Sequence, residues 1–223
     1  MKVLQNGGIN FYAPNPICAN RASTLFSKEP ETISWISGFP SGSVLVDVGA
    51  NVGCYSLYAA SLGHRVIAVE PSPGTFSVLC QNIILNDFGE LITAVCGVVS
   101  DFDGEMIIQP NGPGEARIEL GVGCLTVPAF ALDTLSDQMT VPSHVKIDTD
   151  GHELEVLIGG SETLFEVESV IVETGHNDSD YEREISERLQ CAGLFFASRH
   201  TCPLVRSEKV GMDHYYRTQR PSV

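Results

Sequence analysis

Asp47, Gly49, Asn51 and Gly53 fall within one short stretch, Asp47-Val48-Gly49-Ala50-Asn51-Val52-Gly53. It directly follows an apolar run and leads into the helical stretch that opens at Tyr55. Glycines at such a turn remove side chains where a ligand must come close to the backbone, and Asp47 at the end of the run offers a carboxylate to a positively charged group. Glu70 ends the next apolar run, 21 residues after Gly49. At that offset an acidic side chain accepts hydrogen bonds from both hydroxyls of a ribose. The segment therefore predicts a nucleoside-containing ligand lying over a strand-to-helix turn.

Two ligands of that kind compete. A dinucleotide needs the Gly-x-Gly-x-x-Gly turn and an uncluttered helix N-terminus for its pyrophosphate. Here Asn51 stands at the second glycine position and Asp47 lies near the anion's path. S-adenosylmethionine carries a sulfonium and an amino acid in place of the pyrophosphate, and its α-amino group is a natural partner for Asp47. The loop therefore favours S-adenosylmethionine over NAD. An NAD-linked oxidoreductase and a donor-binding protein without turnover stand as the alternatives.

Transfer of a methyl group from a sulfonium is an in-line displacement, helped by a group that receives the acceptor's hydroxyl proton. Lys146 and Asp148 alternate onto one face of a fourth apolar run. Asp148, Asp150 and Glu153 cluster where that run turns into a helix. Asp148 is the first candidate for the proton acceptor, whereas Asp150 and Glu153 are explained by helix capping and macrodipole complementarity. Glu173 ends a fifth run and is followed by Thr174, Gly175, His176 and Asn177; His176 is a second candidate base. Asp148, Asp150, Glu173 and Asn177 also compose an oxygen-rich magnesium set, a minority mechanism, because carboxylates around a cationic donor need no metal to explain them.

These residues need a scaffold. Residues 44–48, 66–70, 91–95, 144–148 and 169–174 read as buried strands alternating with helix-period stretches, and strand-like segments follow near 194–199 and 213–217. The pattern predicts a doubly wound, mostly parallel α/β sheet of seven strands. Residues 97–143, rich in Gly and Pro with a turn signal at 111–114, predict an inserted β-hairpin at the ligand-binding edge. Residues 1–40 form a lead-in segment, and Trp35 is expected to anchor its helix on the core.

The chain has 223 residues, 43% of them hydrophobic, which fits one α/β domain spanning 1–223. A net charge of −15 argues against nucleic acid and anionic membranes as partners, leaving a small-molecule or glycan acceptor. Neither a secretory leader nor a membrane-spanning stretch is legible, so a cytoplasmic protein is expected. The seven cysteines include no Cys-x-x-Cys pair and are expected to be reduced. The oligomeric state has no sequence signal.

The segments 47–60 (DVGANVGCYSLYAA), 66–73 (VIAVEPSP), 82–86 (NIILN) and 145–160 (VKIDTDGHELEVLIGG) resemble the FkbM family of methyltransferases, as does the lead-in 24–36 (TLFSKEPETISWI). The resemblance implies a Rossmann-like class I methyltransferase sheet, S-adenosylmethionine as donor, and O-methylation of a sugar, glycan or small metabolite. It implies that Asp47, Gly49, Ala50, Asn51, Gly53 and Tyr55 line the methionine end, with Asp148 nearby, and that Glu70 holds the ribose. Pro71 and Ser72 would edge the adenine, with Val98 or Asp101 on its other side. It also suggests cofactor or acceptor contacts for Glu29 and Thr32. The family's usual Lys-Ile-Asp-Val-Glu-Gly is altered here to Lys-Ile-Asp-Thr-Asp-Gly, so the shorter Asp150 occupies a position otherwise held by Glu.

Overall fold

A computed structural model describes residues 2–109, 112–114, 119–120, 125–175, 179–201 and 211–217. In chain order the elements begin with a lead-in of β1 (Val3–Asn6), β2 (Ile9–Tyr12), α1 (Pro16–Ser23), α2 (Leu25–Lys28) and α3 (Pro30–Ser37). The core follows with β3 (Val44–Val48), α4 (Cys54–Ser61), β4 (Arg65–Val69), α5 (Pro73–Leu85) and β5 (Ile92–Val95). An insertion contributes β6 (Val98–Ser100), β7 (Gly104–Gln109), β8 (Glu119–Leu120), β9 (Leu125–Ala131) and α6 (Leu132–Gln138). The chain ends with β10 (His144–Ile147), α7 (Glu153–Gly159), β11 (Ser169–Thr174), α8 (Ser179–Cys191), β12 (Leu194–Thr201) and β13 (Gly211–Arg217).

Among the described residues the main sheet has seven strands in the order β12-β13-β11-β10-β3-β4-β5. The pairs β3–β4, β4–β5, β3–β10 and β10–β11 are parallel, whereas β13 runs antiparallel to both β11 and β12. The chain winds outward from β3 to β5, then returns to β10 on the other side of β3. That reversal opens a crevice beyond the carboxyl ends of β3 and β10, where doubly wound sheets hold ligands.

Both faces of the sheet are covered, which is why its strands are apolar runs. Val46, Val48, Val145, Ile147, Val170 and Val172 pack with Leu132, Leu135, Val156, Leu157, Ile185 and Leu189 from α6, α7 and α8. Leu45, Val66, Ala68 and Ile171 pack on the other face with Trp35, Ile36, Leu57, Leu79 and Ile83 from α3, α4 and α5. The register pairs Lys146 with Asp47 and with Ile171, so strand alternation puts Asp47, Lys146 and Glu173 on this second face, beneath the lead-in.

The lead-in is anchored twice. β1 and β2 form a hairpin across Gly7 and Gly8, whose φ angles of 58° and 84° suit a tight two-residue turn. The backbone N–H groups of Tyr12 and Asn10 donate to Asn82 Oδ1 and Asn86 Oδ1 on α5, at 2.6 and 2.8 Å. Trp35 is buried in α3 and donates through Nε1 to Ser169 Oγ at 2.9 Å.

The insertion is larger than a hairpin. β7 and β9 pair antiparallel, as a hairpin requires, but β8 extends one side and β6 joins β9 in parallel, giving a four-stranded sheet among the described residues. It is clamped to the core through Gly159 at the end of α7, where an added Cβ would stand 1.9 Å from the Ser100 carbonyl oxygen.

Candidate active site

The loop after β3 is built for close approach. Gly49 has φ of +77°, and a Cβ there would lie 2.0 Å from the Asp148 carbonyl oxygen. Gly53 has φ of +87°, and its Cβ would meet Leu79 at 2.4 Å. The N–H groups of Gly49 and Ala50 both donate to Val69 O, at 3.0 and 2.9 Å, which fastens the loop to the end of β4. Asn82 Nδ2 donates to Val52 O at 2.8 Å from the other side. Asn82 thus joins the loop, α5 and the lead-in hairpin.

Glu70 lies across this loop. It is buried, with one carboxylate oxygen accepting from the Asn51 N–H at 3.0 Å and the other from the Ser72 N–H at 2.9 Å. Burial pushes its carboxyl up to about 7, against the opposing pull of those two N–H groups and of Arg21. Ser72 begins α5, and its buried hydroxyl has no hydrogen-bond partner among the described residues. Each Glu70 oxygen retains acceptor capacity after its backbone contact.

Beneath the loop lies a buried ionic cluster. Lys146 Nζ stands 3.1 Å from Asp148 Oδ2 and 3.5 Å from Asp47 Oδ1, and it lies 5.2 Å from the centre of the Tyr55 ring. Ser56 Oγ donates to Asp47 Oδ2 at 2.6 Å. Burial alone would lower the Lys146 pKa, but Asp148, Asp47 and Glu29 more than reverse it, so the ammonium is held above its ordinary range. Glu29 enters from the lead-in, 2.9 Å from Lys28 Nζ, and accepts from Thr32 Oγ1 at 3.2 Å. Burial and then Glu29 raise the Tyr55 hydroxyl well above its ordinary pKa.

A small cleft opens above this cluster. Gly49, Ala50, Asn51, Val52, Cys54 and Tyr55 line its loop side, Lys146 and Asp148 its floor, and Arg21 and Lys28 its lead-in side. Asp47 is fully buried under the loop and does not line the cleft; Asp148, whose side chain is 16% exposed, does. Arg21 and Lys28 were not legible as site residues, because they arrive from helices distant in sequence and carry no motif. Arg21 is fixed by donation from Nε to Gly114 O, and the neighbouring Pro113 carbonyl accepts from Asn15 Nδ2 at 2.7 Å and Cys18 Sγ at 3.4 Å.

Other candidates separate from this centre. Asp150 is exposed, with φ of +55°. Glu153 secures the turn itself: Oε1 accepts from the N–H groups of Thr149 and Gly151 and from Thr149 Oγ1, and Oε2 from the Tyr181 hydroxyl at 2.9 Å. Glu173 is buried on the lead-in face of β11, while Pro71 is half-buried beside Ser72. Val98 packs with Ile108 and Val127 inside the insertion, and Asp101 is exposed and accepts from Ser100 Oγ at 3.1 Å. His176 and Asn177 lie outside the described residues. Among the described residues no group of three or more His, Cys, Asp or Glu is arranged to hold a metal, and no helix is long and apolar enough to cross a membrane.

The strand order, the antiparallel β13 and the glycine loop facing an acidic strand end define a Rossmann-like class I methyltransferase fold. A similar fold occurs in magnesium protoporphyrin IX methyltransferase (ChlM) from Synechocystis PCC 6803, solved with bound SAM. The two match with a TM-score of 0.58 at 14% identity, over 93% of this chain and 86% of that one. Residues 47–193 match the model of the methyltransferase FkbM domain, and the chain belongs to that family. It is 34% identical over 153 residues to the hexuronic acid methyltransferase AglP of Haloferax volcanii, an alignment covering 65% of this chain and 62% of AglP. It is also 30% identical over 179 residues to the methyltransferase sdnD of Sordaria araneosa, covering 62% of this chain and 69% of that protein.

Proposed function

We propose that this protein is an S-adenosylmethionine-dependent O-methyltransferase acting on a sugar or glycan hydroxyl. The observation that carries the donor assignment is Glu70: a buried carboxylate pinned across the glycine loop by two backbone N–H groups, with acceptor capacity left on both oxygens for a ribose. The residues fit the donor. Gly49 and Ala50 bring bare backbone to the cleft, the unpartnered Ser72 hydroxyl lies next to the Glu70 end of the loop where an adenine would follow the ribose, and Asp148 in the cleft lining, with Asp47 buried beneath it, suits a ligand bearing a sulfonium and an ammonium. When bound, S-adenosylmethionine supplies an activated methyl group.

The chain's own residues do the rest. Asp148, half-buried in the cleft lining, receives the acceptor's hydroxyl hydrogen bond and its proton. Lys146 is a fixed cation that holds Asp148 in place and neutralises Asp47, and its raised pKa makes it no base at neutral pH. Support for a sugar acceptor comes from AglP, whose name specifies a hexuronic acid. The test is calorimetry with S-adenosylmethionine, S-adenosylhomocysteine and NAD, followed by a methyl-transfer screen over sugars and uronic acids. Binding of the adenosyl ligands, weakened at least tenfold in Glu70→Ala, supports the donor site. Binding of NAD alone overturns it, and donor binding without transfer to any hydroxyl leaves a binding protein.

A further inference from the structure

We propose that Arg21, with Lys28 beside it, grips the α-carboxylate of the donor's methionine end; this rests on S-adenosylmethionine being the donor. Both cations line the same cleft as the loop from Gly49 to Val52. Arg21 is already positioned, because its Nε is engaged by Gly114 O while Asn15 and Cys18 hold the adjoining Pro113 carbonyl. Use of Nε leaves the two terminal amino groups of the guanidinium to meet a carboxylate side by side. The Arg21 carbonyl accepts from Cys54 Sγ at 3.6 Å, which fixes this stretch of the lead-in beside the end of the loop.

Lys146 does not serve this role, since it lies between Asp47 and Asp148 with its side chain 2% exposed. The remaining charges about the site, Glu29, Asp47, Glu70 and Asp148, are acidic and repel a carboxylate. They suit the donor's two cationic groups and leave its one anionic group to Arg21 and Lys28. Lys28 is itself tethered at 2.9 Å to Glu29, which makes it the secondary partner.

The decisive measurement compares S-adenosylhomocysteine with the same thioether lacking the carboxylate, by calorimetry on the full chain. The wild-type protein is expected to prefer the carboxylate form by roughly 10- to 100-fold, the range of a charge-assisted hydrogen bond. Arg21→Gln should erase most of that preference while binding the decarboxylated ligand as the wild type does. Arg21→Lys should keep part of it, and Lys28→Met should reduce it less. Thermal unfolding of each variant checks that the lead-in remains docked. Equal loss of both ligands in a folded Arg21→Gln protein marks a structural role and overturns the proposal. So does an unchanged preference, or a defect confined to turnover of acidic acceptors. Failure of the wild type to bind either ligand removes the donor assignment and this inference together.

Discussion

Glu70 has a consequence for pH. Burial pushes its carboxyl up to about 7, whereas the ribose hydroxyls of the proposed donor would donate to the ionised form. Donor affinity should therefore fall as pH drops below 7, by about one to two orders of magnitude between pH 8 and pH 5, and the fall should vanish in Glu70→Gln. Calorimetry across that range checks it; a flat wild-type profile would show that the ribose does not engage this carboxylate. Lys146 belongs to the same scale. Lys146→Met leaves Asp47 and Asp148 facing each other without a cation and should cost about 3–5 kcal/mol in urea unfolding. At this scale the positions of Glu70 and the loop glycines, at one strand end and in the turn after its neighbour, were legible because they are tied to a spacing. The burial of Asp47 beneath the loop was not, since a carboxylate at a strand end reads identically whether it faces ligand or lysine. Arg21 was invisible for a different reason: a cation on a distant helix acquires a role only when the chain folds it over the loop.

Among the elements, the parallel strands were the most legible, because burial on both faces turns each into an uninterrupted apolar run such as Val44–Val48. The lead-in hairpin carries only a faint signal, Gly7-Gly8 between two runs of four residues each, too short to show strand alternation. The paired asparagines of α5, Asn82 and Asn86, lie one helical turn apart and receive that hairpin's backbone, which gives the segment 82–86 a structural reason. The β6–β9 pairing carries no local code, because it joins residues 98–100 to 129–131 and depends on where the hairpin between them falls. Its anchorage predicts a sharp test. Gly159→Ala places a Cβ against the Ser100 carbonyl and should destabilise the protein by about 1–3 kcal/mol, since both partners are backbone and neither yields easily. Gly89→Ala, where a Cβ meets nothing within 4 Å, is the control and should leave the unfolding midpoint nearly unchanged.

For the molecule as a whole, the acidic balance of −15 and the buried charges bear on stability as well as on partners. Two buried groups pull in opposite directions over the mildly acid range. Glu70, raised to about 7, contributes stability that is fully present below its ordinary value of 4.5 and is lost as pH rises through 7. His214, on β13, is lowered from 6.5 to about 4, first by burial and then by the neighbouring His200, against weaker opposing pulls from Asp213 and Glu29. Its contribution is therefore fully present above pH 6.5 and is lost as pH falls toward 4. The two rings lie 4.9 Å apart, on the strand pair that closes one edge of the main sheet, so protonation there loads β13 with charge where it pairs with β11. Replacing His214 by Gln should remove on the order of 1–2 kcal/mol of the stability lost between pH 7 and pH 4.5. Urea unfolding of both proteins at the two pH values measures it. An equal acid loss in the variant would show that His214 does not carry the sensitivity.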